Sequence, residues 1–313
     1  MKWRRFLRAR LIRLAFVLVA LTLLTFLMVH LAPGDPARLV AGMDADEQAV
    51  QVARTRLGLD QPLATQFFNY VGGLLRGDMG TSFATNQPVT AEIGQKIGPT
   101  AELAFIGMGL ILLVGLPMGI IGGVVTRNGG RLFEVMFSSG TGAMAAIPQY
   151  LIATFLAFFF AVTWQLFPVA GAGALNAAIL PAVAIAVRPS AAIARLVRVR
   201  TLEVLESPYI RTARSKRLPT RKLYMRHVFP NSITTMLAMG GVLFASLIGG
   251  AVIVEQVFAR PGLGTSLVNS VLTGDYPVVQ GIVLLLGFSV VIVNAFVDIL
   301  LGLVDPRTLE AGR

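Results

Sequence analysis

The sequence predicts an all-α polytopic membrane protein with six transmembrane helices. Hydrophobic residues fill 55% of the 313 positions and charged residues only 14%, where a soluble domain carries nearer a quarter. The apolar residues fall in long blocks, and an apolar helix of about 18 residues or more can cross a bilayer because it satisfies its own backbone groups. Lys and Arg gather in short segments between alternate blocks, the pattern that orients a membrane chain.

The spans are expected at 11–31 (LIRLAFVLVALTLLTFLMVHL), 100–125, 133–160, 177–193, 232–254 and 281–304. Lys2, Arg4, Arg5, Arg8, Arg10 and Arg13 lie before or at the start of the first. Arg127 and Arg131 separate the second from the third. Arg195, Arg198 and Arg200 follow the fourth, and Arg211, Arg214, Lys216, Arg217, Arg221, Lys222 and Arg226 precede the fifth. The 164–176 connection carries no charge, and Arg260 is the one basic residue between the fifth and sixth spans. Both termini are therefore expected in the cytoplasm, with the long loop after the first span outside, since long loops translocate largely regardless of charge. This divides the chain into a basic N-terminus with the first span (1–31), an external loop (32–98), a core (99–304) containing a basic loop at 195–230, and a cytoplasmic tail (305–313). RRFLR at 4–8 vaguely suggests a secretory signal, but the apolar run has spanning length and no small-residue cleavage site follows it. Arg195, Arg198 and Arg200 sit at a span end, where anchoring at the membrane surface is expected rather than voltage sensing.

In the external loop, Asp44 with Glu47 three residues later and Gly58 as a stop predicts a capped helix. A second helix would place Phe67, Val71, Leu74 and Leu75 on one face. It either lies at the membrane surface or packs onto the spans, and the sequence leaves both open. The spans hold Pro117, Pro148, Pro181 and Pro189 and glycine pairs at 122–123, 240–241 and 249–250. These suit close packing and bent helices, and together a pathway that opens on alternating sides. Glu134, Arg188 and Asp298 lie in or near apolar segments, where a charge needs a partner or water. Arg188 and Asp298 fall at similar depth, so a pair between them, or with Glu134, is expected. Asn294 and Asp298 share a helix face at i, i+4, which points to hydrogen bonding between helices, with a pathway role as the alternative.

Cysteine is absent, which excludes disulfides, Cys-based zinc sites and thiol catalysis. His30 and His227 are too few for a His-rich metal site. None of Lys2, Lys96, Lys216 and Lys222 follows a glycine, so there is no phosphate-cradling P-loop. No HExxH or GxSxG motif appears, and the chain is expected not to be an enzyme. A net charge of +11 would point to nucleic acid in a soluble protein. Here the charge lies beside the membrane, which favours lipid or protein contact and no nucleic acid.

The basic stretch SPYIRTARSKRLPTRKLYMRHVFPN (207–231) contains no acidic residue. Ser207 can cap a helix and Pro208 suits its first position. That helix would run to about Leu218 and stop at Pro219. Thr220 would cap a second helix leading into the fifth span. Tyr209, Thr212, Ala213 and Lys216 share one face, and a short helix rich in small residues suits a groove on a partner.

Residues 211–230 resemble the EAA loop of bacterial ABC-importer permeases, E-A-A-x3-G-x9-I-x-L-P, with Ala213 and Pro230 as literal matches and Arg217 in the glycine place. YIRTARSK is more similar to the oligopeptide/dipeptide/nickel branch, where Y-[IV]-R-T-A-R-A-K-G-L is usual. Arg217 departs from that branch's glycine, and a turn that needs positive φ there would be strained. HLAPGDP (30–36), GDMGTSFATNQPVTAEIGQKIGPTAEL (77–103), VIVEQVFARPGLGTSLVNSVLTGDYPVVQG (252–281) and NAFVDILLGLVDPR (294–307) resemble the same branch in order and spacing. The long external loop resembles that of its B-type member. The resemblance implies the type I importer permease fold and a role as half of a pathway for peptides, with nickel chelates, glutathione or heme as alternative cargo. It also implies a homologous C-type permease, two ATPase subunits or one fused double ATPase that bind ATP and Mg, and an external substrate-binding lipoprotein in a bacterial plasma membrane. No cofactor is expected on this chain. By the same resemblance Tyr209, Ile210, Arg211, Thr212, Ala213, Arg214, Lys216 and Arg217 dock the ATPase. Arg260, Pro261, Gly262, Gly264, Asp275 and Tyr276 form an external gate rim that meets the binding protein. A self-sufficient secondary transporter is the less favoured reading, because internal repeats and midplane acids are not evident.

Overall fold

A computed structural model describes residues 2–31, 35–42, 44–127, 129–173 and 175–304. The expected tail at 305–313, and Ala32–Gly34 of the HLAPGDP segment, lie outside the described residues. Among those described, the backbone is helical, joined by turns and one isolated bridge between Thr81 and Pro88. The helices are α1 (Lys2–Leu31), α2 (Pro36–Ala41), α3 (Glu47–Arg56), α4 (Leu63–Leu75), α5 (Val89–Arg127), α6 (Arg131–Ala146), α7 (Gln149–Thr163), α8 (Leu175–Glu206), α9 (Pro208–Ser215), α10 (220–238), α11 (Gly240–Val257), α12 (Leu263–Thr273) and α13 (Tyr276–Val304).

Five of these, α1, α5, α8, α11 and α13, contain stretches long and apolar enough to cross a membrane, and α6 with α7 makes a sixth span only as a bent pair. The sequence predicts that third span as one helix from 133 to 160. Instead it breaks at Ile147–Pro148 and turns by 90°. The cause is local: proline disfavours helical backbone in the residue before it, and Ile147 is extended at φ −65° and ψ 125°. Other prolines inside the helices are absorbed without a break. Residue i−4 from Pro117 falls in a wide π turn at Ile111–Gly115, and residue i−4 from Pro230 in another at Tyr224–Val228. Widening the turn accommodates the missing N–H and the crowded carbonyl.

The chain divides into two compact units. Among the described residues, the first comprises 2–6, 101–260 and 292–304. Its core is α8, surrounded by Leu103, Ile111, Leu247, Val254 and Phe258, with Ile185, Ile193 and Val197 contributed by α8 itself. Gly119 and Gly123 let α5 approach α8 closely: a Cβ at Gly119 would lie 2.6 Å from the Ala194 carbonyl. Small residues at such crossings increase van der Waals contact between membrane helices.

The second unit comprises Leu7–Thr100 and Pro261–Val291. Here α4 packs against the end of α1, with Phe67 edge-on to Phe26 at 5.3 Å. Tyr70 shares a 3.3 Å hydrogen bond with Thr25. Burial raises the Tyr70 pKa above its ordinary value, and the Thr25 bond opposes that shift. Of the face expected to be apolar, Phe67, Val71 and Leu74 are half-buried and Leu75 is exposed, as are Leu63 and Phe68. The helix expected to start at Asp44 is instead capped by Asp46, whose carboxylate accepts from Ala49 N–H at 2.8 Å. Glu47 becomes its first residue, and Gly58 takes the left-handed conformation just past its end.

Candidate functional site

Ser207 occupies the N-cap position and Pro208 the first helical position of α9. The Ser207 hydroxyl does not cap, however; it donates backwards to the Val204 carbonyl at 2.5 Å. The helix stops at Ser215, three residues short of the expected Leu218. Arg217 N–H donates to the Arg214 carbonyl at 2.8 Å and Leu218 N–H to that of Ala213 at 3.3 Å, the paired bonds of a left-handed helix terminus. Arg217 therefore sits at φ 51°, in the conformation that glycine adopts most easily. The turn is kept with an arginine at its strained position, a cost of about 1–2 kcal/mol.

Ile210 and Ala213 face inwards, buried with Val204, Leu205, Leu223 and Val228. This corrects the expected face, since Ala213 packs on its own chain rather than against a partner. A buried side chain the size of Ile210 contributes roughly 2 kcal/mol, enough to hold a two-turn helix that would be marginal alone. The outward face is Tyr209, Arg211, Thr212, Arg214, Lys216 and Arg217, all exposed. Tyr209 lies 6.0 Å from the His227 ring. The result is a rigid basic knob, braced on α8 and α10, with no acidic residue anywhere in 207–231.

The loop between α11 and α13 is built differently. Between them the chain forms a further helix, α12. Arg260 is completely buried and makes an ion pair with Glu102 through Nη2; its Nη1 lies 3.5 Å from the Gly171 carbonyl. Asp275 is 3% exposed and accepts from Ser82 Oγ and, at 3.0 Å, from Phe83 N–H. Gly262 and Gly264 are buried, Tyr276 is half-buried and Pro261 is exposed. The Arg260 and Asp275 side chains therefore act as internal ties rather than as a rim. Sequence alone does not identify Glu102 and Ser82 as their partners. The acidic residue at the head of the second apolar block and the polar GDMGTS run were the available signals.

Within the spans, the pairing expected of Glu134 falls to Arg198, not Arg188: Arg198 Nη2 donates to Glu134 Oε1 at 2.7 Å, and its guanidinium lies 5.6 Å from the Phe137 ring centre. Arg188 does not reach Asp298 either; its Nε donates to the Ala145 carbonyl at 3.2 Å. Asn294 fits over Gly241, where any Cβ would overlap its amide.

Comparison with known proteins supplies the family. The model described as binding-protein-dependent transport system inner membrane component matches residues 115–310, and a companion model for the N-terminal part of such membrane components matches residues 3–104. A protein of Brucella abortus (strain 2308) named as a peptide transport system permease is 39% identical over 303 residues, covering 93% of this chain and 94% of the relative. The glutathione transport system permease protein GsiC of Shigella flexneri serotype 5b (strain 8401) is 37% identical over 298 residues, covering 95% and 96%. A chain of the inward-facing MetNI methionine ABC transporter superposes with a TM-score of 0.56 at 18% identity, over 68% of this chain and 95% of that one. At that identity the likeness speaks to fold. The chain belongs to the binding-protein-dependent transport system inner membrane component family, the permeases of ABC importers.

Proposed function

We propose that this permease forms one half of a passage for small peptides, driven by ATPase subunits that dock on the outward face of α9. The observation that carries the docking assignment is the geometry of that helix. Its apolar residues are spent on bracing it, and every cation from Arg211 to Arg217 is left to solvent. Because α9 is seated against both α8 and α10, a displacement imposed on its outer face is passed to two helices of the core. The chain carries no P-loop lysine, so ATP and Mg belong to the partner subunits. A homologous permease would complete the passage, and an external receptor would deliver the cargo. The distribution of basic residues supports cytoplasmic termini and an external loop after α1.

Peptide cargo is supported by the relative named for peptide transport. Glutathione, itself a small peptide, is the second reading, supported by the relative named for it. The test is to replace Tyr209, Arg211, Arg214 and Lys216 by serine while keeping Ile210 and Ala213. Insertion should persist, while ATPase subunits no longer copurify and uptake stops. Undiminished uptake by that variant would sink the docking assignment.

A further inference from the structure

Helices α6 and α8 are tied at two points, Glu134 to Arg198 and the Ala145 carbonyl to Arg188. Arg188 lies ten residues along α8 from Arg198, and Ala145 eleven residues along α6 from Glu134, so the two helices run antiparallel in register. At about 1.5 Å per residue, Arg188 sits roughly 15 Å deeper than the ion pair, about half of a ~30 Å hydrocarbon core. A cation at that depth must meet protein or water. Yet Arg188 is exposed, and among the described residues neither of its Nη atoms has a partner. Its exposed face continues along α8 through Ala192, Arg195 and Val199, which adds a second cation to it.

The carbonyl that Arg188 meets is one of the orphan acceptors at the end of α6, immediately before the 90° break. Ala146, Ile147 and Pro148 are all exposed there. Unwound backbone at membrane depth is tolerated only where it is buried in protein or lines a water-filled cavity. Gln149, the first residue beyond the break, adds another unmet donor, its Nε2 buried against Gly250 without a hydrogen-bond partner. The surroundings of the break thus hold unmet donors, Gln149 Nε2 and the two Nη atoms of Arg188.

We propose that Arg188 and the α6–α7 break line the passage and form a subsite for a carboxylate of the cargo. This rests on the importer reading above and deepens it by naming the group that the membrane passage recognises. Arginine suits the task because its planar fork holds a carboxylate by two parallel hydrogen bonds and stays charged wherever it is placed. Linear peptides and glutathione both present such a group, so the chemistry is shared between the two cargo readings.

The chain has no cysteine, so Arg188→Cys and Ile147→Cys can be placed singly in the whole transporter, with its receptor and ATPase subunits, in proteoliposomes. Both thiols should react with methanethiosulfonates supplied in water. Uptake of trialanine and of glutathione should each be measured for Arg188→Cys, and a fall of about ten-fold or more is expected for whichever is carried, as for loss of one charge-assisted hydrogen bond. The aminoethyl reagent, which restores a cation, should recover that uptake. The sulfonatoethyl reagent, similar in size but anionic, should not. Thiols that stay unreactive in an assembled complex overturn the subsite, as do unchanged uptake by Arg188→Cys or equal recovery with both reagents. A wild-type complex that moves neither cargo counts instead against the peptide reading, while the labelling still decides whether the break faces water.

Discussion

The loops that follow α9 and α11 begin with the same backbone device and end in opposite electrostatic states. Each closes its helix with a non-glycine residue in the left-handed region, Arg217 at φ 51° and Ala259 at φ 44°. In each, the next residue donates back to the carbonyl at the sixth position, Leu218 to Ala213 and Arg260 to Glu255. Along α9 and its terminus the charges stay in solvent, and within the helix only Ile210 and Ala213 are buried. After α11 the charges turn inwards, Arg260 to Glu102 and Asp275 to the Ser82–Ala84 turn. A charge buried with its partner holds the fold. A charge left exposed on a braced helix contributes little to stability and is available for a partner. Sequence presents both loops as polar interruptions between spans; burial separates their roles.

Removing the internal tie should have the largest effect. Arg260→Ala empties a fully buried site and breaks the pair with Glu102, and is expected to cost about 3–5 kcal/mol, read as a lower Tm of the purified protein in detergent. Asp275→Ala should come next, at about 2–3 kcal/mol, because the Ser82 hydroxyl and Phe83 N–H lose their acceptor in a buried place. Asp275→Asn should lose less, since an amide oxygen still accepts. A Tm unchanged by either Arg260→Ala or Asp275→Ala would erase the contrast between the loops. On the other side, the double variant Arg211→Glu with Arg214→Glu should leave stability within about 0.5 kcal/mol. It should weaken ATPase association at least about ten-fold, or ~1.4 kcal/mol, measured by titration of the purified subunits. The smallest effect sharpens the shared device: Arg217→Gly relieves left-handed strain and should raise stability by about 1 kcal/mol, with the same sign for Ala259→Gly.

Much of the architecture was legible because the relevant physics is one-dimensional. Apolar blocks long enough to cross a bilayer located five spans as single helices and the sixth as the bent pair α6 and α7, and Pro208 and Pro219 bracketed α9 to within three residues at its C-terminal end. The helix at 47–56 was found with its cap placed two residues early, because Asp44 and Asp46 are both competent caps and only the backbone path chooses between them. The inward and outward faces of α9 were harder to read. Small residues at Thr212, Ala213 and Ser215 look alike in sequence, and only the packing of Val204, Leu205 and Leu223 beneath them decides which is buried.

The sequence alone determined that the chain is an all-α polytopic membrane protein with a basic, acid-free loop before the fifth span, because bilayer thickness and the cost of burying charge act on composition and spacing. It also carried Pro148, whose effect on Ile147 is local. Tertiary structure decided the partners of the charges: Glu134 with Arg198 instead of Arg188, and Arg260 with Glu102 across 158 positions of chain. A pairing between distant residues depends on the register in which helices pack, and register follows from three-dimensional fits such as Gly119 against Ala194 that no local pattern encodes.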